Sequence, residues 1–152
     1  MQRRHTFISR LALLLLAAAA PALCGCSSFG PEWRSPKLLQ PPADDPFAGR
    51  WKGSWRSVTG HSGGLRCIVT KVDEDTYRAR FHATYALILE FEYTADMDVE
   101  TRDGVAYFKG QADLGKMAGG IYKYDGHADG KTFHSAYEAK SDHGRFKMAR
   151  PK

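Results

Sequence analysis
The chain has 152 residues, 22 basic and 17 acidic side chains, a formal net charge of +5 and a hydrophobic fraction of 43%. That length suits one domain and hardly two. The hydrophobic fraction excludes a chain too polar to bury a core, and basic residues scattered among acids lack the clustered footprint that nucleic-acid binding requires.

The first 25 residues read as a removable export signal. A basic stretch with Arg3, Arg4 and Arg10 precedes an apolar run, Leu11–Ala20, and a small-residue segment ends at Gly25. The run is shorter than the about 20 residues of a membrane-spanning helix, and Pro21 interrupts its continuation. Removing residues 1–25 takes away three arginines and no acid, leaving 127 residues with 19 basic and 17 acidic side chains, a net charge of +2. Most of the apparent basicity therefore belongs to export.

Leu23-Cys24-Gly25-Cys26 resembles the bacterial lipobox. The resemblance implies thioether lipidation of Cys26 as the first mature residue. Ser27, where the enterobacterial retention pattern has aspartate, implies an outer-membrane destination with the domain in the periplasm. Cys24 leaves with the signal and Cys26 carries lipid, so Cys67 has no partner in the chain and no internal disulfide forms. Cys67 alternates with Leu65 and Val69 and reads as a small buried hydrophobe.

Residues 26–46 form the lipidated N-terminus and a linker carrying five of the seven prolines. That density predicts an extended polyproline II spacer reaching up to roughly 60 Å at about 3.1 Å per residue. Phe29, Trp33, Leu38 and Leu39 are its candidates for docking on the domain or on lipid.

Residues 47–152 form the domain, and from Gly49 onward the period is two. Gly49, Trp51, Gly53 and Trp55 share one face, opposite Arg50, Lys52, Ser54 and Arg56, as in a half-buried antiparallel strand. Turns follow at Thr59–Gly64 and Val72–Thr76. Every odd position from Tyr77 to Val99 is apolar, a stretch too long for one strand of about 3–10 residues. A turn is therefore expected near Thr84–Leu87, although no Gly, Pro, Asn or Asp marks it. Arg102-Asp103-Gly104 signals a hairpin, and further turns fall at Gly115–Gly120, Asp125–Gly130 and Ser141–Gly144. Eight short strands with regular turns predict an all-β fold, most simply an up-and-down barrel whose closure removes its edges.

Pro46-Phe47-Ala48-Gly49-Arg50-Trp51 resembles the opening of lipocalin and other calycin barrels, where Gly-x-Trp begins the first strand. The Thr-Asp-Tyr signature of kernel lipocalins is absent. The resemblance implies binding of a small hydrophobic molecule, with Arg150 packed over Trp51 where the last strand meets the first.

By parity the interior holds Trp55, Tyr77, Phe81, Tyr85, Phe91, Tyr93, Phe108, Tyr122, Tyr124 and Tyr137. At eight strands such an interior is either filled by side chains or holds one small ligand. Two readings stay open: a ligand-binding barrel, and a filled structural or protein-interaction barrel. No catalytic constellation stands out, because Ser135 and His134 are adjacent in a strand and point to opposite faces. His82 and His134 face outward, which disfavours haem, and no cofactor is expected. His61, Asp142 and His143 fall at one end of a closed barrel and could hold a divalent metal; solvated loop residues are the simpler reading, since no ligand spacing supports a site.

Overall fold
The computed structural model describes residues 27–40, 42–86 and 88–152; the export signal and Cys26 lie outside the described residues. Eight antiparallel strands run in chain order: β1 Gly49–Ser57, β2 Ser62–Lys71, β3 Thr76–Tyr85, β4 Leu89–Arg102, β5 Val105–Asp113, β6 Ile121–Ala128, β7 Thr132–Glu138 and β8 His143–Ala149. Each pairs with its neighbours, and β8 returns to β1 through Gly53↔Met148 and Trp55↔Phe146, closing an up-and-down barrel. The alternation of the sequence becomes the two sides of the wall. The inward odd positions Tyr77, Ala79, Phe81, Ala95, Met97 and Val99 are buried, and Arg78, Asp96, Asp98 and Glu100 face solvent.

At the Asp103-Gly104 hairpin both residues have positive φ, 53° and 77°, the left-handed geometry that a two-residue connection matching strand twist needs. The β3–β4 turn uses a residue that does not advertise it. Ala86 takes φ 50° there, a conformation in which a Cβ crowds the following carbonyl. Ala86→Gly is expected to raise stability by about 0.5–1 kcal/mol after the unfolded-state entropy of glycine is deducted. A urea midpoint unchanged or lowered would contradict this.

Two expectations are corrected. The stretch Asp125–Gly130 is not all turn, because β6 continues to Ala128. Gly126 is a strand glycine: a Cβ there would lie 2.2 Å from the His134 carbonyl oxygen and 2.6 Å from the Phe108 ring. It gives Phe108 room to lie against the wall.

The linker is also not an extended spacer throughout. Phe29–Trp33 forms a short helix, α1, followed by a single 3-10 turn at Pro36–Leu38. Pro31 sits in the first turn of α1, where a missing N–H costs no intrahelical bond. Phe29 and Trp33, four residues apart, share a face. Trp33 lies beside the guanidiniums of Arg50 and Arg66 at 5.3 and 5.6 Å from its ring centre, and Phe29 beside those of Arg66 and Arg80 at 5.5 and 5.9 Å. Each such contact is worth about 0.5–2 kcal/mol. Arg80 also pairs with Glu32. His82 faces outward as parity requires, yet it is buried because Phe29 covers it at 5.2 Å between ring centres. Leu39 remains exposed.

Candidate functional site, an open-ended cavity
The two ends of the barrel differ. The end where β1 begins is plugged by the Asp45–Ala48 turn, in which the Asp45 carboxylate accepts the N–H groups of Phe47 and Ala48 at 2.8 and 2.9 Å. Phe47 is thereby pushed into the interior, its ring 4.8 Å from Phe108, 5.7 Å from Phe133 and edge-on to Tyr77 at 5.3 Å. The Trp51 indole N–H donates to the Phe47 carbonyl at 2.8 Å. Arg150 lies across Trp51, its guanidinium carbon 3.7 Å from the ring centre. Its N–H groups donate to the carbonyls of Ala48 at 2.7 Å and Gly130 at 3.1 Å. Burial lowers the Arg150 pKa to about 10. Cys67 is fully buried among these layers, and burial pushes its thiol well up. This half of the barrel is filled.

The other half is open. A cavity of about 1020 Å³ enters between the β3–β4 and β5–β6 loops, at the upper end of the range of small-molecule pockets. Its wall includes Trp55, Tyr85, Phe91, Tyr93, Tyr122, Tyr124 and Tyr137 from the parity-derived set. Tyr77 and Phe108 belong instead to the filled half, the Tyr77 hydroxyl donating to Asp45 at 2.9 Å. Phe81, fully buried, stacks on Tyr93 at 4.9 Å and lies behind the cavity wall without lining it. Phe91 is half-exposed at the rim. A larger concavity of about 1140 Å³ follows the outer wall past Lys109, Lys123 and Arg145. Charged side chains, Glu138 and Lys140 among them, also line it, and it runs along the wall instead of entering the barrel mouth.

The cavity also carries polar groups, with Glu92, Thr94, Asp113, Lys116 and Asp142 on its wall besides the tyrosines. Tyr137 donates to Asp142 at 3.0 Å, and Ser57 donates to the other oxygen of the same carboxylate. Ser57 meets Thr59 at 2.7 Å, and Thr59 meets the His61 Nδ1 at 3.2 Å. His61 and Asp142 are thus linked through two hydroxyls and do not share a metal. Among the described residues no three His, Cys, Asp or Glu side chains are grouped to hold one. Ser135 faces inward with its hydroxyl near the Asp125 and Ala136 carbonyls, and His134 faces outward against His127. By contrast, the Tyr124 hydroxyl is buried on the cavity wall beside the Tyr93 phenol and, among the described residues, has no partner in full hydrogen-bond geometry. Such a group costs about 1–3 kcal/mol, which a bound acceptor would offset.

Burial pushes the Tyr93, Tyr124 and Tyr137 phenols well above the ordinary value of 10.0, and burial with the Asp45 hydrogen bond pushes Tyr77 up to about 12. Since these groups hold their protons more tightly folded than unfolded, stability is fully present below pH 10 and falls as the unfolded chain ionises first. Urea midpoints should therefore drop between about pH 10 and 12, with tyrosinate absorbance from the buried phenols appearing only as the chain unfolds. A flat midpoint across that window would contradict the buried-phenol geometry.

No family model matches the chain, and no curated protein sequence matches it. Among solved structures it is similar to a de novo designed fluorescence-activating β-barrel, with a TM-score of 0.51 and 14% identity over 72% of this chain and 97% of that one. The likeness is one of fold. It places the chain among small closed barrels and leaves function to the cavity.

Parity reasoning misses the loop residues Leu114–Ala118, the wall carboxylate Asp142, and Glu92, Thr94 and Asp113, which parity turns outward. The available signal was the apolar content of Leu114–Ala118, unusual in a glycine-flanked loop.

Proposed function
We propose that this chain is a lipid-anchored envelope protein, non-catalytic, whose barrel carries a small, flat, largely apolar molecule bearing a hydrogen-bond acceptor. The observation that carries the reading is the open aromatic cavity with the orphaned Tyr124 hydroxyl on its wall. Aromatic faces favour stacking with a planar ligand, and an acceptor beside Tyr124 would supply the missing bond. Similarity to a designed fluorescence-activating β-barrel supports the fold on which this reading builds, a small closed barrel. The calycin-like opening motif agrees with the same activity. Anchoring rests on the lipobox resemblance at Cys26, and the periplasmic face of the outer membrane on Ser27.

The test is titration of the purified protein with anilinonaphthalene sulfonate, followed by probe emission and Trp55 quenching. Ala83→Trp, which fills the cavity from mid-wall, should weaken binding at least about tenfold, a loss of about 1.4 kcal/mol. Native mass spectrometry of protein taken from its membrane should reveal the bound molecule, and Tyr124→Phe should lower its retention. No probe binding by the unaltered protein, or equal binding by Ala83→Trp, sinks the reading. Cys26→Ser should abolish palmitate labelling; unchanged labelling would remove the anchor.

A further inference from the structure
Loop chemistry divides the molecule end from end. The plugged end carries Asp73, Glu74, Asp75, Asp103 and Asp129, all exposed. Among the described residues, the open end carries six of the nine large hydrophobic side chains that stand in solvent: Val58, Ile88, Leu89, Phe91, Met117 and Ile121. Ile88 is 82% exposed and Met117 fully so. Exposed apolar side chains gathered at one end of a barrel mark a contact surface.

The shape of that end narrows the partner. Strand β4 pairs with β3 from Leu89 onward, but with β5 only from Asp96. The β3–β4 hairpin therefore projects past its other neighbour and presents Ile88 at its tip. Lys116 and Lys140 stand in loops at the same end beside the exposed Glu90, Asp113 and Glu138, so apolar contact and not net charge carries this surface. The N-terminal chain also arrives here. Ser27, the residue after Cys26, is hydrogen-bonded to Glu92 on the projecting hairpin, and Ser28 receives a hydrogen bond from Arg80 at 2.9 Å. With α1 docked, one described residue separates Cys26 from that cluster of contacts, so a lipid on Cys26 would hold this end against the bilayer.

We infer that the mouth of the barrel is a membrane-docking surface: its apolar loops enter the interfacial layer of a lipid bilayer, and the cavity opens onto the acyl chains. The inference rests on the anchored, ligand-carrying reading above and supplies its route of loading, from the membrane and not from water.

The experiment places an environment-sensitive nitrobenzoxadiazole label at Ile88→Cys, Met117→Cys or Val72→Cys in the full chain. Cys67 is buried and does not compete, and in protein read from the soluble fraction Cys24 and Cys26 are replaced by serine so that only the introduced thiol reacts. Protein recovered with the membrane fraction is read directly; protein recovered in the soluble fraction is read after adding phosphatidylethanolamine–phosphatidylglycerol vesicles. Labels at positions 88 and 117 should shift to the blue and be quenched by lipid-borne nitroxide at least about twofold more than the label at 72. Water-like emission at all three positions overturns the inference. A blue shift without nitroxide quenching also overturns it, because a protein or a second copy of the chain would then cover the mouth. Anilinonaphthalene sulfonate binding to the same proteins separates the outcomes: a cavity that binds probe while its rim stays in water refutes docking alone.

Discussion

Replacing Phe47 with alanine is expected to cost about 3–5 kcal/mol, whereas Phe91→Ala changes stability by less than about 1 kcal/mol. Both residues are phenylalanines that parity and motif assign to the barrel, so the contrast depends on position alone. Phe47 is fully buried and its ring contacts Tyr77, Phe108 and Phe133. Removing it strips a shared neighbour from three rings, of which Phe108 and Phe133 keep only each other and Trp51. Phe91 is half in solvent at the rim. A domain of this size is stable by about 5–15 kcal/mol in total, so Phe47→Ala sits near the edge of folding. Urea unfolding followed by tryptophan fluorescence measures both. Equal effects would show that the plug contributes no more than the rim, and that the division into filled and open halves is wrong.

Arg150→Ala is expected to cost about 3 kcal/mol, from an arginine–tryptophan contact of about 0.5–2 kcal/mol and from buried carbonyls that lose a charged donor. The carbonyls of Ala48 and Gly130 both receive that donor. Arg56→Ala, on the exposed outer face of the same seam, should stay within about 0.5 kcal/mol. Arg150→Lys should recover only part of the loss, because an ammonium cannot stack on the indole and span separate carbonyls at once. Full recovery by lysine would mean that charge, and not the planar fork, is what the seam uses.

The strands and their faces were legible because the period of two is strict from Tyr77 to Val99 and again in β1. The Asp103-Gly104 turn was legible because its residue types suit positive φ. Ala86 was not marked by type, since nothing in an alanine advertises a left-handed conformation; only the excessive length of the run required a break. Gly126 misled for the opposite reason: a glycine beside aspartates reads as a turn, whereas here it makes space for Phe108. Docking of α1 was visible only as candidates, because the platform of Arg50, Arg66 and Arg80 comes from strands distant in sequence. Parity also says which face a residue occupies but not its height along the axis. Tyr77 and Tyr124 read alike in the sequence, and strand stagger together with the Phe47 plug assigns one to packing and the other to the cavity.

Closure of the ring by β1 and β8 has a kinetic consequence. Seven of the eight strand pairings are hairpins between consecutive segments. The eighth brings together Arg50 and Arg150, 100 positions apart in the chain. Its loop-closure entropy exceeds that of a tight hairpin by roughly 3 kcal/mol, so a curled, unclosed meander forms first and the seam zips last. Interactions made only at that final step leave the folding rate nearly untouched and govern the escape rate instead. In such a molecule Arg150 acts as a clasp on lifetime.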